Sequence, residues 1–297
     1  MGRAIPILQV DAFTSRPFGG NPAGVVLDAD ALSVPEMQRI AGEMNVAETA
    51  FVGSTATAGT DLRLRWFTPS GHEIAFCGHA TVATAHALVE AGRLRADRIV
   101  FDTLGGPLAV RVERADARLV IWLEPVLRTC HPYAGPVRDL LAALGVADLG
   151  GWAPPALTGE RDVLLPLPGL AALERLSPDL TAVARVATAE KLRGVCGVAL
   201  GGVDAGSRTH SRFFAPHLGI PEDPVTGSVH AAIPVWLWEA GVLRAEGGVA
   251  RFTAEQGDGL GRPGRLRIEL SLEGGRPARV RVGGEAVTVL TGTLRLD

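Results

Sequence analysis

Two short segments of this chain place glycine beside a side chain that can donate a hydrogen bond, at the start of an apolar helix. The first is Cys77-Gly78-His79 and the second is Thr226-Gly227-Ser228. Several backbone N–H groups at a helix N-terminus have no partner within the helix, and the helix dipole adds positive potential there. Such a position suits a carboxylate group. If the two helix ends converge, they form an anion pocket of neutral backbone; ordinary helix capping is the alternative interpretation.

The two segments belong to an internal repeat with an offset of about half the chain. Residues 88–96 read LVEAGRLRA and residues 237–245 read LWEAGVLRA, with identity at seven of nine positions. Upstream, RWFTP at 65–69 corresponds to RFFAP at 212–216. Two copies are too few for a solenoid or a propeller. The repeat instead predicts two similar halves with a ligand site between them, and a function that depends on where the copies differ.

The elements that position these segments alternate between strand and helix patterns in each half, which predicts an α+β fold. A capped helix begins near Ser33 and ends at Asn45, and the small-residue run after Gly78 predicts a buried helix that Gly92 ends. The Pro/Gly-rich stretch 124–136 is the predicted linker. We therefore expect an N-terminal half at 1–125 and a C-terminal half at 126–297, whose last strand can pack back on the first half.

Composition limits the class of protein. The 297 residues are 47% hydrophobic with a net charge of −3, and the basic residues are dispersed, so nucleic acid is not expected as a partner. The apolar runs are all shorter than the ~20 residues of a membrane span, and the N-terminus lacks a secretory signal pattern. Three scattered cysteines, Cys77, Cys130 and Cys196, suggest reduced thiols. These features predict a cytoplasmic two-domain protein with no membrane partner.

Four separated motifs together resemble the PhzF-like family, which is named for the phenazine-biosynthesis isomerase. They are GNPAGV at 20–25, NVAETAF at 45–51, FTP at 67–69 with CGHAT at 77–81, and EDPVTGS at 222–228. The resemblance implies the diaminopimelate-epimerase-like fold, with two pseudo-symmetric halves that each curl a sheet around a central helix. It also implies an active site in the interdomain cleft that works without a cofactor, and a homodimer.

The resemblance assigns roles to eight residues. The acid/base and proton-shuttle positions are Glu48, His79 and Asp223, and the substrate-binding positions are Gly78, Gly227, Ser228, Asn21 and Cys77. A buried carboxylate is suited to removing a proton from an activated carbon and returning it elsewhere. Four of these positions also have a structural interpretation: a solvated strand end for Glu48, a helix cap for His79, a turn for Asp223 and a loop-shaping role for Asn21.

Cys77 is ambiguous. In the related diaminopimelate epimerases, two cysteines at the two helix starts carry protons, and Cys77 occupies the first of these positions. The second position reads Asp223-Pro224-Val225-Thr226 and holds no thiol. A symmetric two-thiol racemase is therefore not expected, and a buried apolar role for Cys77 remains open beside a reactive one.

Two other kinds of site fit the sequence less well than these motifs do. A zinc site from His72, Cys77, His79 and His86 follows no recognisable ligand spacing, so no metal is expected. The glycine-rich stretch 257–264 precedes a strand, unlike a dinucleotide-binding loop. The favoured function is a cofactor-independent isomerase of a small carboxylate substrate. In its strongest form, which is the phenazine reaction that the resemblance implies, Glu48 would take the C3 proton of trans-2,3-dihydro-3-hydroxyanthranilate and return it to C1. An amino-acid epimerase or racemase and a non-catalytic carboxylate-binding protein are the alternatives.

Overall fold

A computed structural model describes residues 2–115 and 118–296, and these divide into two compact units. The first unit comprises residues 1–124 and 283–297, and the second comprises residues 125–282. Each unit combines a mixed sheet with few helices. The predicted α+β fold class is therefore confirmed.

The first unit contains eleven strands and helices among the described residues. They are β1 (Arg3–Ala12), β2 (Asn21–Val26), α1 (Val34–Met44), β3 (Glu48–Gly53), β4 (Leu62–Phe67), β5 (Glu73–Ile74), α2 (Gly78–Glu90), β6 (Arg98–Thr103), β7 (Gly106–Ala115), β8 (Arg118–Leu123) and β18 (Ala286–Leu296). From β18 the pairing runs through β1, β2, β3, β4, β6 and β7 to β8. The β2/β3 and β4/β6 pairs are parallel, and the others are antiparallel.

The second unit contains the remaining elements. They are β9 (Cys130–Pro132), α3 (Val137–Leu144), β10 (Ala156–Thr158), β11 (Asp162–Pro166), α4 (Leu170–Glu174), α5 (Leu180–Ala189), β12 (Gly194–Leu200), β13 (Ser207–Ala215), β14 (Ile220–Asp223), α6 (Gly227–Glu239), β15 (Val249–Gln256), β16 (Gly264–Glu273) and most of β17 (Arg276–Gly284). Its pairings from β10 to β16 repeat the alternation of the first unit, with β11/β12 and β13/β15 parallel. The internal repeat in the sequence is thus a repeat of topology.

Helix α1 follows its sequence signals closely. The backbone N–H of Ser33 donates to the Glu36 carboxylate at 2.7 Å, which satisfies a donor at the helix start. Asn45 ends the helix in the left-handed conformation, with φ at 48°, and turns the chain toward β3. The predicted start and stop are both confirmed.

Helices α2 and α6 are the central helices of their units, and each is 13 residues long. In α2 every residue from Gly78 to Leu88 is buried. The helix contacts β1, β2, β3, β8 and β18, so the sheet curls around it. Small side chains allow this close approach, because a sheet can surround a helix only where the helix surface is narrow and apolar. Threonines at 81 and 84 donate their hydroxyls to carbonyls one turn earlier, at 2.6 and 2.7 Å.

Each of the two central helices is preceded by an arginine–glutamate ion pair. In the first unit Arg65 binds both carboxylate oxygens of Glu73, at 2.7 and 2.6 Å, and stacks on the phenylalanine two residues later. In the second unit Arg212 binds Glu222 in the same way, at 2.8 Å for both contacts, and again stacks on the phenylalanine two residues later. Bidentate pairs fix direction as well as distance, so each fixes the segment that leads into the helix.

The second half departs from the sequence prediction at two places. The predicted linker at 124–136 contains strand β9, because residues 130–132 pair with β10. Helix α3 at 137–144 was not predicted at all. Helix α5 begins at Leu180, because the Asp179 side chain accepts a hydrogen bond from Ala182 N at 3.0 Å and caps the helix. Among the described residues, no helix is long and apolar enough to cross a membrane.

Gly20 supports a testable prediction about the loop that leads into β2. Its φ is +55°, and a Cβ there would lie 2.0 Å from the carbonyl oxygen of Ala12. Gly59 has a similar φ of +81° but nothing within 4 Å. We expect Gly20→Ala to cost about 3 kcal/mol, from left-handed strain plus overpacking, and Gly59→Ala about 1 kcal/mol. Urea unfolding followed by tryptophan fluorescence measures both; equal costs would show that the loop relaxes around the new methyl group.

Candidate active site

Three predicted residues of the first unit meet at the start of strand β3 and helix α2. Glu48 is the first residue of β3, Cys77 is the N-cap of α2 and His79 lies in its first turn. Cys77 Sγ lies 3.6 Å from Glu48 Oε2 and 3.6 Å from His79 Nδ1. His79 Nε2 lies 3.2 Å from Glu48 Oε2. A carboxylate, a thiol and an imidazole therefore form one cluster, called the 48–77–79 cluster below.

Burial sets the charge state of this cluster. Only 7% of His79 is exposed, and burial lowers the pKa of His79 to about 4. The imidazole is therefore neutral at neutral pH, and its contact with Glu48 is not an ion pair. His79 Nε2 makes no hydrogen bond within the described residues. A buried polar atom in this state is a position where a ligand can supply the missing partner.

Local backbone packing places Glu48. Its strand partner across the parallel β2/β3 pair is Ala23. The next residue of β2 is Gly24, where a Cβ would lie 2.7 Å from the Thr49 hydroxyl, so glycine allows the two strands to approach closely. Asn45 turns the chain just before β3, as described above. The NVAET motif is therefore a helix stop followed by a strand start that projects Glu48 toward α2.

Asn21 and Gly78 also lie in the first unit. Asn21 is the fully buried first residue of β2 and pairs with Ala12 of β1. The loop before it is tied by Asp11, whose carboxylate accepts a hydrogen bond from Phe18 N at 2.7 Å. Gly78 is the first residue of α2, which is the position predicted for an anion-binding N–H group.

In the second unit, Asp223 belongs to a hydrogen-bonded group that closes the start of α6. The Thr226 hydroxyl donates to Asp223 Oδ2 at 2.6 Å, and Gln256 Nε2 donates to the Asp223 carbonyl at 2.7 Å. Gln256 Oε1 accepts from Thr226 N at 3.1 Å. Asp223 thus has a fixed orientation at the end of β14, and Gly227 follows as the first residue of α6.

Ser228 is linked to a buried ion pair. Arg193 Nη2 donates to Ser228 Oγ at 2.9 Å, and the same guanidinium forms a two-point contact with the Asp162 carboxylate. Only 1% of Asp162 is exposed, and burial raises its pKa to about 6 although Arg193 opposes the shift. A bidentate guanidinium holds its partners rigidly. The hydroxyl of Ser228 therefore has a defined position at the start of α6.

The two units differ at the position of Glu48. The residue after Glu48 pairs with Phe67, and the residue after Gly194 pairs with Phe214, which is the repeat equivalent of Phe67. Gly194 is therefore the counterpart of Glu48 in the second unit. A Cβ at Gly194 would lie 2.1 Å from the ring of Phe213, so this position holds no side chain. At the helix starts, the Cys-Gly-His of the first unit is replaced by Thr-Gly-Ser.

The competing site predictions do not correspond to clusters. His72 is exposed and its Nδ1 lies 3.0 Å from Ser70 Oγ, while His86 Nε2 lies 3.1 Å from Glu90 Oε1. Of the four residues weighed for zinc, only Cys77 and His79 lie in the cluster with Glu48. The glycine-rich stretch 257–264 forms one short 3₁₀ turn between antiparallel strands β15 and β16, rather than a loop that opens an α-helix.

Sequence reasoning missed three polar residues of the second unit: Asp162, Arg193 and Gln256. No sequence signal marks Gln256, because the repeat aligns it with Gly105. Nothing local distinguishes Arg193 from the other arginines, because its partners Asp162 and Ser228 lie 31 and 35 residues away in the chain.

Comparison with known proteins agrees with this fold. A family model described as phenazine biosynthesis-like protein, PhzC-PhzF, matches residues 10–292. The chain belongs to this family. An uncharacterised isomerase of Deinococcus radiodurans is 39% identical, over 93% of this chain and 90% of that protein. The structure of a PhzF-family phenazine biosynthesis protein of Bacillus anthracis superposes with a TM-score of 0.88 at 28% identity, over 98% of this chain and 99% of that one.

A more distant structure shows how widely the fold is used. A hydroxyproline epimerase of Agrobacterium vitis has a TM-score of 0.62 at 13% identity, over 100% of this chain and 94% of that one, which is a likeness of fold alone. The predicted family and the epimerase-like fold are confirmed, and so is the prediction of an isomerase-type enzyme. The substrate and the roles of individual residues stay predictions.

The low pKa of His79 predicts a pH-dependent stability. Between pH 6.5 and about 4 the unfolded chain binds a proton at His79 that the folded protein excludes. The stabilising contribution is therefore complete above pH 6.5 and is lost as the pH falls. From pH 7.5 to 5.0, the free energy of unfolding should fall by about 2 kcal/mol less in His79→Asn than in the wild type.

Urea unfolding of both proteins at the two pH values measures this difference. Circular dichroism before each titration serves as the control that both proteins start folded. Identical losses in the two proteins would mean that His79 takes up its proton normally in the folded state.

Proposed function

We propose that the protein is a cofactor-independent isomerase that moves a proton between two carbon atoms of a small carboxylate substrate. The observation that carries this proposal is the 48–77–79 cluster, where Glu48 lies beside an uncharged, buried His79. A carboxylate in such a place can serve as a base without metal or cofactor, provided that the substrate's C–H bond is activated.

The proposed reaction has two proton transfers by one group. Glu48 removes a proton from carbon, and the electron pair of the broken C–H bond moves into the conjugated system of the substrate. The carboxylic acid then returns the proton to a different carbon, which regenerates the carboxylate. His79 Nε2 is the proposed hydrogen-bond partner of the substrate, since a neutral imidazole can orient a group without neutralising the base.

The difference between the two units favours one base over two. A racemase that works from both faces of a carbon needs a second group of matched reactivity. The counterpart of Glu48 is Gly194, and the neighbouring carboxylate of Asp162 is held by Arg193. The second unit thus offers an ion pair where the first offers a base, which supports asymmetric isomerisation over symmetric racemisation.

For the second unit we propose substrate binding. Gly227 and Ser228 begin helix α6, where backbone N–H groups and the helix dipole favour an anion. Arg193 orients the Ser228 hydroxyl, and the group of Thr226 and Gln256 orients Asp223. These residues would bind the polar groups of the substrate, and the family resemblance supports the assignment.

The first experiment is an NMR time course in D₂O with trans-2,3-dihydro-3-hydroxyanthranilate. We expect isomerisation with deuterium in the product, and a rate that falls by about 10²–10⁴-fold in Glu48→Gln, because the amide keeps the shape but cannot accept a proton from carbon and return it. A wild-type rate in Glu48→Gln would remove Glu48 from its role.

No turnover of this compound by folded wild-type protein would discard that substrate. Amino acids and other small carboxylates would then be tested by deuterium exchange at carbon, which also detects an epimerase. Binding of a carboxylate without any exchange would instead identify a binding protein and overturn the isomerase proposal.

Ser228→Ala separates binding from proton transfer. Loss of a hydrogen bond to a charged group costs about 1.5–3 kcal/mol, so substrate affinity should fall by roughly 10-fold or more, with a smaller change in the rate at saturation. Substrate titration by calorimetry and the NMR assay measure the two effects. Ser54→Ala, which removes an exposed hydroxyl bonded to Asp30, is the control. An unchanged affinity in Ser228→Ala would exclude this hydroxyl from the anion site.

A further inference from the structure

The 48–77–79 cluster has the dimensions of a zinc site. Zinc bonds of ~2.3 Å to sulfur and ~2.0–2.1 Å to nitrogen or oxygen give tetrahedral S–N and S–O edges of about 3.6 Å. Cys77 Sγ lies 3.6 Å from both Glu48 Oε2 and His79 Nδ1. One ligand atom from each of the three residues lies within 4.8 Å of the other two. The two edges at sulfur therefore match those of a tetrahedral zinc site in which His79 Nδ1 is the ligand nitrogen.

The donor set selects the kind of ion. A thiolate and an imidazole favour zinc and other borderline-soft ions, whereas magnesium and calcium prefer oxygen ligands alone. Three protein ligands also leave one tetrahedral position open.

A second group of potential metal ligands lies in the second unit and differs from the 48–77–79 cluster in its donors and its charge. His210, Glu255 and Asp258 also lie within 4.8 Å of one another. There, however, Arg265 donates to both oxygens of Asp258 at 3.0 Å, so a guanidinium already supplies the positive charge. That group also contains no sulfur and no soft ligand. The two groups are therefore not equivalent as metal sites, because, of these two groups, the 48–77–79 cluster alone offers a thiol beside an imidazole and a carboxylate.

We propose that Glu48, Cys77 and His79 bind a single zinc ion in the absence of substrate, and that this ion switches the enzyme off. The binding step stands on geometry alone, whereas the inhibitory step rests on the proposed function. Zinc displaces the Cys77 thiol proton and takes an electron pair each from the thiolate, the imidazole and the Glu48 carboxylate. The carboxylate can then no longer accept a proton from the substrate. Removal of the ion restores the base.

Metal binding is tested first, without substrate. The chelator-treated protein is titrated with Co²⁺, whose thiolate charge-transfer absorption reports a cobalt–sulfur bond, and Zn²⁺ is then added to displace it. We expect one ion per chain. Cys77→Ser should lose the band and bind Zn²⁺ at least about 100-fold more weakly, because even outer-shell partners of metal ligands are worth 10–100-fold.

Cys130→Ser is the matched control, since Cys130 is buried in the second unit with its thiol 3.7 Å from the Ala232 carbonyl. This variant should bind both metals as the wild type does. A band that persists in Cys77→Ser, or no metal bound by folded wild-type protein, would overturn the proposal.

X-ray absorption at the zinc edge of the wild-type protein keeps the test independent of variant folding. One sulfur at about 2.3 Å with nitrogen and oxygen at about 2.0–2.1 Å is the expected shell, and a shell without sulfur contradicts the site.

The deuterium-exchange assay then tests inhibition: one equivalent of Zn²⁺ should abolish exchange and EDTA should restore it. Full exchange by the zinc-loaded protein would overturn the inhibitory role while leaving the isomerase proposal intact. If no substrate is turned over, the spectroscopic results still decide whether zinc binds.

Discussion

Burial of helix α2 within its own sheet is the constraint on which the first unit depends. A helix surrounded by five strands cannot shift along its axis without opening cavities in a close-packed interior. Its first residues are therefore fixed in place, and these residues carry the thiol and the imidazole of the candidate site. The bidentate contact of Arg65 with Glu73 fixes the segment just before the helix. Precision at the site is thus a consequence of packing rather than of the site residues themselves.

The second unit has the same arrangement of strands and central helix as the first, but different side chains at the corresponding positions. Its arginine–glutamate contact, its parallel strand pairs and its 13-residue helix repeat those of the first unit. Glycine stands where the first unit has Glu48, and a phenylalanine ring fills the space. The polar groups near the start of α6 are joined by hydrogen bonds and an ion pair, which hold them in a fixed arrangement. In the first unit a neutral imidazole beside a carboxylate leaves a group that can still exchange protons.

Much of this organisation could be predicted from the sequence, because its signals are local or repeated. Ser33, Asn45 and the glycines that end or begin helices act within one or two turns, and the repeat revealed that there are two similar units. The motifs also marked Glu48 and His79 as members of one candidate site. Their separation of 3.2 Å could not be predicted, since it depends on the pairing of β2 with β3 and on how closely Gly24 lets them approach.

The features that escaped prediction are long-range. Strand β9 exists only because it pairs with β10, more than twenty residues later, so its own composition reads as a linker. Arg193 gains its role from Asp162 and Ser228, on two other elements. Neither is marked by a pattern in its own segment. A single sequence reveals residues whose role depends on nearby residues in the chain. It does not reveal residues whose partners are distant in the sequence and come close only in the folded protein.

Strand β18 pairs with β1 from one end to the other, with Arg3 opposite Leu296. The first unit is thus built from both ends of the described chain, and the whole of the second unit is an insertion between them. During synthesis the ribosome completes the inserted unit first. Until the final strand emerges, β1 is an edge strand with ten residues of unpaired backbone on one side, a surface that invites pairing with other chains. The second unit can therefore be completed before the first, although the first unit begins earlier in the sequence.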